Sequence, residues 1–349
     1  MEWGIALVGF GNVAQGLARI LIRKGEDLVQ RYSFTPVVKA IVTRSRGSLW
    51  NPDGLNLEQV LTSLDERGDL SGVDAASANL EEFLAGDLVS VMVETTPTDL
   101  VTGEPGLSLI RRAIRSGKHV VSSSKGPVSV ALPELMDLAS SYGVAYRFEG
   151  ALLSGTPSIN LAMESMAGCD VVRVQGIVNG TTNYILSRME EGLDYESALA
   201  EAKSLGYAEA DPSGDVDGWD AAVKAQIIAT VIMGTPMPLS QVKRQGIAQV
   251  SRAEVERAKA RGRRIKLLAQ VERRNGSVAA SVAPVELPLD HPLAGVMGAT
   301  NAITYSTDTL RDVTIVGPGA GREETGQALL TDLLAIVRER GASLGRRTA

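Results

Sequence analysis

Hydrophobic and polar positions along the first 150 residues fall into alternating strand and helix blocks. Residues 3–8, Trp-Gly-Ile-Ala-Leu-Val, form a continuous apolar run that predicts a strand buried on both faces, and Leu17 to Leu28 has helical spacing. Further strands are predicted at 36–42, 89–94, 118–122 and 145–149, with helices at 57–67, 107–116 and 133–142 between them. This alternation predicts an α/β domain with a parallel sheet between helices. Beyond residue 150 the rhythm changes. A long strand at 171–178 runs through a turn into a helix around 184, helices follow at 195–205 and 221–233, and another strand spans 278–285. The strands of this half read as one mixed sheet, an α+β arrangement. A glycine turn, Gly317-Pro-Gly-Ala-Gly321, precedes a terminal helix at 325–340, and residues 346–349 read as a disordered tail. The expected division is 1–149 completed by 317–349, with 150–316 as a second domain. No internal repeat or low-complexity tract is present.

The turn after the first strand carries chemistry. Gly9-Phe10-Gly11-Asn12-Val13-Ala14 stands between strand and helix, the order of a Rossmann-type dinucleotide site. Gly9 makes the tight turn, Gly11 lets the backbone approach a pyrophosphate, and Ala14 is small where helix meets strand. The helix start then offers N–H groups to the phosphates. The second strand ends in Thr43-Arg44-Ser45-Arg46-Gly47, and no acid occurs between Ser33 and Asn51. An NAD site would place Asp or Glu there for the ribose hydroxyls, whereas Arg44 and Arg46 suit a 2′-phosphate. NADP is the expected cofactor, with NAD as the alternative. Thr95, Thr96 and Thr98 follow one strand and Lys125 follows the next, at strand ends where ligands of such sheets gather.

Residues 209–224 are the densest chemistry in the chain. Glu209, Asp211, Asp215, Asp217 and Asp220 crowd a Pro/Gly-rich loop, and Lys224 follows Asp220 at i+4, on the same helix face. Lys224 is the only charge in the apolar run 221–233, so it must be paired or must line a cavity. An acid cluster facing one amine could hold a cationic, amino-acid-like substrate beside a proton-transfer group. The alternative is an ordinary surface Asp-Lys pair. Asn179, Thr181 and Thr182 sit at another predicted helix start, where N–H groups could bind a carboxylate or nicotinamide, or simply be capped.

Composition narrows the class. The 349 residues suffice for about two domains. A net charge of −6 argues against nucleic acid or an anionic membrane as partner. The start carries no basic, apolar leader pattern, and no apolar run reaches the roughly 18 residues of a membrane span, so a cytoplasmic protein is expected. The single cysteine, Cys169, fits a reducing compartment. A thioester mechanism would need Cys169 with a histidine base. The only histidines, His119 and His291, have no evident link to it.

With these residues in view, the chain resembles the homoserine dehydrogenases over nearly its whole length. The resemblance rests on Val8-Gly-Phe-Gly-Asn-Val13, Glu94-Thr-Thr-Pro-Thr98, Ser124-Lys-Gly-Pro127, Gly176 to Leu186, Leu205-Gly-Tyr-Ala-Glu-Ala-Asp-Pro212, Asp215-Val-Asp-Gly-Trp-Asp220 with Lys224, His291-Pro-Leu-Ala294 and Gly317 to Gly321. It implies interconversion of L-homoserine and L-aspartate 4-semialdehyde with NAD or NADP, in threonine and methionine biosynthesis. It implies that 150–316 binds substrate, catalyses and forms a homodimer. Lys224 is then the acid/base, Asp220 its partner and a substrate contact, and Lys125 a second active-site lysine. Glu209, Asp215 and Thr181 hold the substrate, while Gly9, Phe10, Gly11, Asn12, Val13, Arg44, Arg46, Thr96, Lys125, Gly206 and Gly321 face the cofactor. A structural sodium ion is implied at Glu149, Leu152, Ser154 and Thr156, although 149–157 departs from the family pattern at several positions. Nothing follows the terminal helix, so the C-terminal regulatory domain of many relatives is expected to be missing. The alternatives are a paralogue acting on another hydroxy amino acid and a non-enzymatic NADP sensor.

Overall fold

A computed structural model describes the backbone of residues 2–347 and the side chains through Arg340. The chain forms two compact units, one of residues 1–155 with 321–349 and the other of 156–320.

The first unit is built on six strands: β1 (Glu2–Val8), β2 (Thr35–Val42), β3 (Ser48–Trp50), β4 (Val91–Glu94), β5 (His119–Ser122) and β6 (Tyr146–Arg147). Their order is β3-β2-β1-β4-β5-β6, all parallel except β3, which runs antiparallel to β2. This is the Rossmann strand order, and its reversal between β1 and β4 opens a crevice at the strand C-termini. Ile5, Leu7, Ile41, Val91 and Val93 are inaccessible to solvent, as a doubly covered parallel sheet requires. The covering helices include Asn12–Tyr32 and the terminal helix Arg322–Arg347, which both feed the same apolar cluster through Leu17, Ile20, Leu329 and Leu333. The terminal helix thus runs through Arg346 and Arg347, which the sequence pattern assigns to a tail; Thr348 and Ala349 lie outside the described residues.

The helix expected from Pro133 begins earlier. It spans Lys125–Ser141 and breaks at Ala131 (φ −139°), two residues ahead of Pro133. Proline excludes a continuous helical ladder at that point, so two helical segments meet there. His119, on β5, is buried and accepts a hydrogen bond from Ala145 N at Nδ1 (2.9 Å). Burial pushes its pKa down to about 4, so it is a neutral core residue rather than a proton carrier.

The second unit holds one mixed sheet of β7 (Val171–Ile177), β8 (Lys243–Arg244), β9 (Arg263–Arg274), β10 (Ser277–Pro288), β11 (Thr300–Thr307) and β12 (Arg311–Pro318), ordered β12-β11-β7-β9-β10-β8. All pairings are antiparallel except β10 with β8. The helices Gly180–Glu190, Tyr195–Ser204, Trp219–Val231 and Arg252–Ala260 belong to this unit. Among the described residues no helix is long and apolar enough to cross a membrane.

Lys266 on β9 is almost wholly buried, and its Nζ donates to Asn183 Oδ1 (2.9 Å) and Val296 O (2.5 Å), tying the 180–190 helix to the 293–298 loop. Burial lowers its pKa from 10.5 to about 8. Between those values the unfolded chain binds more protons than the folded one, so this lysine's cost is fully present below pH 8 and fades as pH rises toward 10.5. At about 1.4 kcal/mol per pKa unit the change amounts to a few kcal/mol. Thermal melts of wild type and Lys266→Met should therefore diverge between pH 8 and 10, with the wild type gaining on the variant. Parallel curves would contradict this assignment.

Candidate active site

At the crevice of the first unit the ends of β1 and β4 are fastened together. Gly9 takes φ +89°, and a Cβ there would stand 2.7 Å from the carbonyl of Thr95, so only glycine fits. Thr95 N donates to Val8 O (2.9 Å) and Thr95 Oγ1 to Gly9 O (3.1 Å). The helix that follows starts at Asn12, with Gly11 as an extended N-cap, no side-chain cap and no acid in its first turn. With neither a side-chain cap nor an acid in its first turn, this helix start is suited to an anion.

The loops after β4 and β5 are organised by Glu94, which is fully buried. It accepts from Thr96 N (2.7 Å), from Thr96 Oγ1 in a short contact, and from Ser122 Oγ (2.7 Å). Ser124 Oγ donates to Thr96 O (3.2 Å), closing the lattice. Lys125 follows directly as the first residue of its helix, half-buried at the β5 end. The sequence offers Glu94 only as part of a matching motif. Its organising role needed the pairing of β4 with β5 to become visible.

Arg46 and Arg44 both project from the exposed loop after β2. Thr43 Oγ1 holds that loop by donating to Gly47 O (2.7 Å) and accepting from Arg46 N (2.9 Å). Arg46 lines a cavity of about 370 Å³ together with Gly11, Asn12 and Gln15; Arg44 does not line it.

In the second unit the acid loop and Lys224 meet. The helix Trp219–Val231 buries every residue from Ala221 to Thr230, Lys224 included. Lys224 Nζ lies 2.8 Å from Asp220 Oδ2 one turn earlier and donates to Val178 O at 2.5 Å. The two side chains are 7% and 18% exposed, which removes the surface-pair alternative. Asn179 completes the group. Its Oδ1 caps the Gly180–Glu190 helix by accepting from Thr182 N (2.9 Å), while its Nδ2 donates to Asp215 Oδ1 (2.7 Å) and Asp220 Oδ2 (3.0 Å). One amide therefore bridges two carboxylates that sequence separates by a loop. Asn179 thus both caps its helix and organises the acids. Thr181 is buried, and its hydroxyl donates to Tyr207 O (2.6 Å), fixing the turn that contains Gly206 (φ +75°). Glu209 lies exposed on the following loop.

Of the segment assigned to a cation, Glu149, Leu152 and Ser154 belong to the first unit, Thr156 opens the second, and all four are buried. The hydroxyls are committed elsewhere: Ser154 Oγ to Thr325 Oγ1 (2.6 Å) and Thr156 Oγ1 to Pro318 O (2.9 Å). The backbone carbonyls of Glu149 and Thr156 already accept from Leu152 N (3.4 Å) and Ser158 N (2.7 Å). Each carbonyl keeps a second lone pair, so these hydrogen bonds do not exclude a cation.

A Rossmann unit with an open glycine turn, and a second unit with a buried carboxylate–lysine pair, define a nicotinamide-dinucleotide-dependent oxidoreductase. Comparison with known proteins narrows this. Residues 9–149 match the NAD-binding domain of homoserine dehydrogenase, and residues 157–334 match homoserine dehydrogenase itself. The chain is 37% identical over 338 residues to the NAD(+)-dependent homoserine dehydrogenase of Pseudomonas canavaninivorans, covering 96% of each chain. It is 38% identical over 338 residues to the homoserine dehydrogenase of Methanocaldococcus jannaschii, covering 95% of this chain and 98% of the relative. A hyperthermophilic archaeal homoserine dehydrogenase mutant solved with NADPH superposes with a TM-score of 0.82 at 30% identity, covering 97% and 98% of the two chains. The chain belongs to the homoserine dehydrogenase family. It is an NAD(P)-dependent oxidoreductase acting on a CH–OH group, converting L-homoserine to L-aspartate 4-semialdehyde and back, a step of amino-acid biosynthesis.

Proposed function

We propose that the Asn179–Asp215–Asp220–Lys224 network is where the substrate's reacting oxygen gains and loses its proton. The observation that supports this most strongly is Lys224 itself, a buried ammonium held by Asp220 and a backbone carbonyl inside an otherwise apolar helix. A bound nicotinamide supplies the hydride acceptor for the alcohol and the hydride donor for the aldehyde. Having released a proton to solvent, Lys224 as the neutral amine takes the hydroxyl proton while hydride leaves the carbon for the nicotinamide, and the ammonium so formed returns that proton to the oxygen when the aldehyde is reduced. Asp220 keeps the lysine aimed and compensates its charge. Lys125, at the β5 end, is assigned the second active-site amine, and Thr181 the turn that seats the substrate.

Glu209 and Asp215 are assigned the substrate ammonium, through charge-assisted hydrogen bonds of about 1.5–3 kcal/mol each. Glu209 is exposed, whereas Asp215 also takes the Asn179 amide. Glu209→Gln should therefore raise KM for homoserine roughly tenfold or more at little cost in kcat. Asp215→Asn should raise KM likewise through the lost charge, its amide oxygen still able to accept from Asn179 Nδ2. Steady-state kinetics with each substrate varied checks this; an unchanged homoserine KM in both variants would make the loop structural.

NADP is the proposed coenzyme, on the basis of Arg44, Arg46 and the lack of an acid after β2. Phe10 and Val13 in the first glycine turn, with Thr96, Gly206 and Gly321, are assigned to its remaining contacts. A sodium ion, if bound, would be held by the carbonyls of Glu149, Leu152, Ser154 and Thr156 and would act on stability. A homodimer formed by the second unit is supported by the exposed apolar side chains of Met163 and Val172. The cytoplasm is the proposed compartment, on the single cysteine. Initial rates with L-homoserine and either coenzyme test the whole reading: reduction of NADP ahead of NAD is expected, and no reduction of either would overturn it.

A further inference from the structure

The geometry points to Arg322, at the far end of the chain from the glycine turn, as a determinant of coenzyme choice that grips the 2′-phosphate together with Arg46. This rests on the reading that the cavity beside Gly11 takes the adenosine end of NADP. The start of the terminal helix is pressed against the second turn of the Asn12–Tyr32 helix. A Cβ on Gly16 would stand 1.9 Å from Arg322 O, and one on Gly326 would stand 2.5 Å from Leu17 N. Two glycines thus let two backbones touch, which fixes where Arg322 leaves its helix. Its neighbour is fastened too, since Arg23 Nη2 lies 2.8 Å from Glu323 Oε2.

From this anchored position the Arg322 side chain lines the same cavity as Arg46, Gly11, Asn12 and Gln15, and its Nη2 donates to Asn12 Oδ1 (3.0 Å). Asn12 opens the helix whose N–H groups face the phosphates. The cavity wall therefore carries two guanidinium groups. Its one carboxylate, Asp65, already faces Arg19 at 3.5 Å. The balance favours a dianion, and a guanidinium presents the paired donors that match a phosphate. Arg44, exposed on the same loop as Arg46, stands outside this cavity, so the clamp joins one arginine from each end of the unit.

The test uses the full chain and two probes, adenosine 2′,5′-bisphosphate and adenosine 5′-monophosphate, titrated by calorimetry into wild type, Arg46→Ala, Arg322→Ala and Arg322→Lys, with a thermal melt of each. Arg322→Ala should weaken the bisphosphate ten- to a hundredfold and leave the monophosphate within about twofold. Arg322→Lys should fall between, since it keeps the charge but not the fork. Equal weakening of both probes by Arg322→Ala, or no weakening, overturns the role of Arg322. If wild type prefers the bisphosphate through Arg46 while Arg322→Ala is silent, the NADP reading stands and only this inference fails. A wild type that binds both probes alike overturns the NADP reading itself.

Discussion

Replacing Lys224 with alanine should lower turnover with L-homoserine by about 10²–10⁴-fold, the contribution of a positioned acid or base. Coenzyme affinity should change little, because the glycine turn and Arg46, assigned to the phosphates, belong to the other unit. The variant should still fold. Removing the ammonium leaves Asp220 with the Asn179 amide (3.0 Å) and a partly open environment, 18% exposed. Stopped-flow or steady-state absorbance of the reduced nicotinamide measures the rate, and calorimetry the coenzyme affinity. A kcat near wild type would remove Lys224 from the chemistry.

Replacing Asp220 with alanine should be the more damaging change to the fold. It takes the Asp220 carboxylate from a lysine that is only 7% exposed, and breaking a buried pair from one side costs about 3–5 kcal/mol. The melting temperature of the second unit should drop by several degrees and turnover should fall with it. Asp220→Asn separates the two effects: it keeps a side-chain oxygen for Lys224 Nζ but no charge, so most of the stability should return while kcat stays depressed. If the alanine variant melts as wild type does, Lys224 has another compensating anion.

The first unit was legible because its signals are local. The run at 3–8, the glycine turn and the next helix lie within thirty residues, and burial on both faces makes every position of that run apolar. The second sheet hid its strands. Four of its strands, β8, β9, β11 and β12, escape the hydrophobic pattern: in β9 and β11 buried polar residues such as Lys266, Asn301 and Thr304 interrupt the alternation, β8 is two exposed basic residues, and β12 has no buried position to mark it. The proline at 133 likewise read as a helix start when it marks a break within a longer helix. In the site, the i+4 spacing of Asp220 and Lys224 carried over directly, since a helix fixes that pair by itself. Asn179 bridging Asp215 and Asp220, Glu94 beneath Thr96, and Arg322 beside Arg46 all depend on contacts between distant segments. Neither periodicity nor spacing encodes such contacts.

The pairing of Asp220 with Lys224 is tested most directly by a double-mutant cycle in kcat/KM for L-homoserine, using wild type, Lys224→Ala, Asp220→Asn and the double variant. If the two residues handle the proton as one unit, the double variant should be no more than about threefold worse than Lys224→Ala alone, because Asp220 has little left to position. Losses that multiply, each residue contributing its full factor in the absence of the other, would contradict that account.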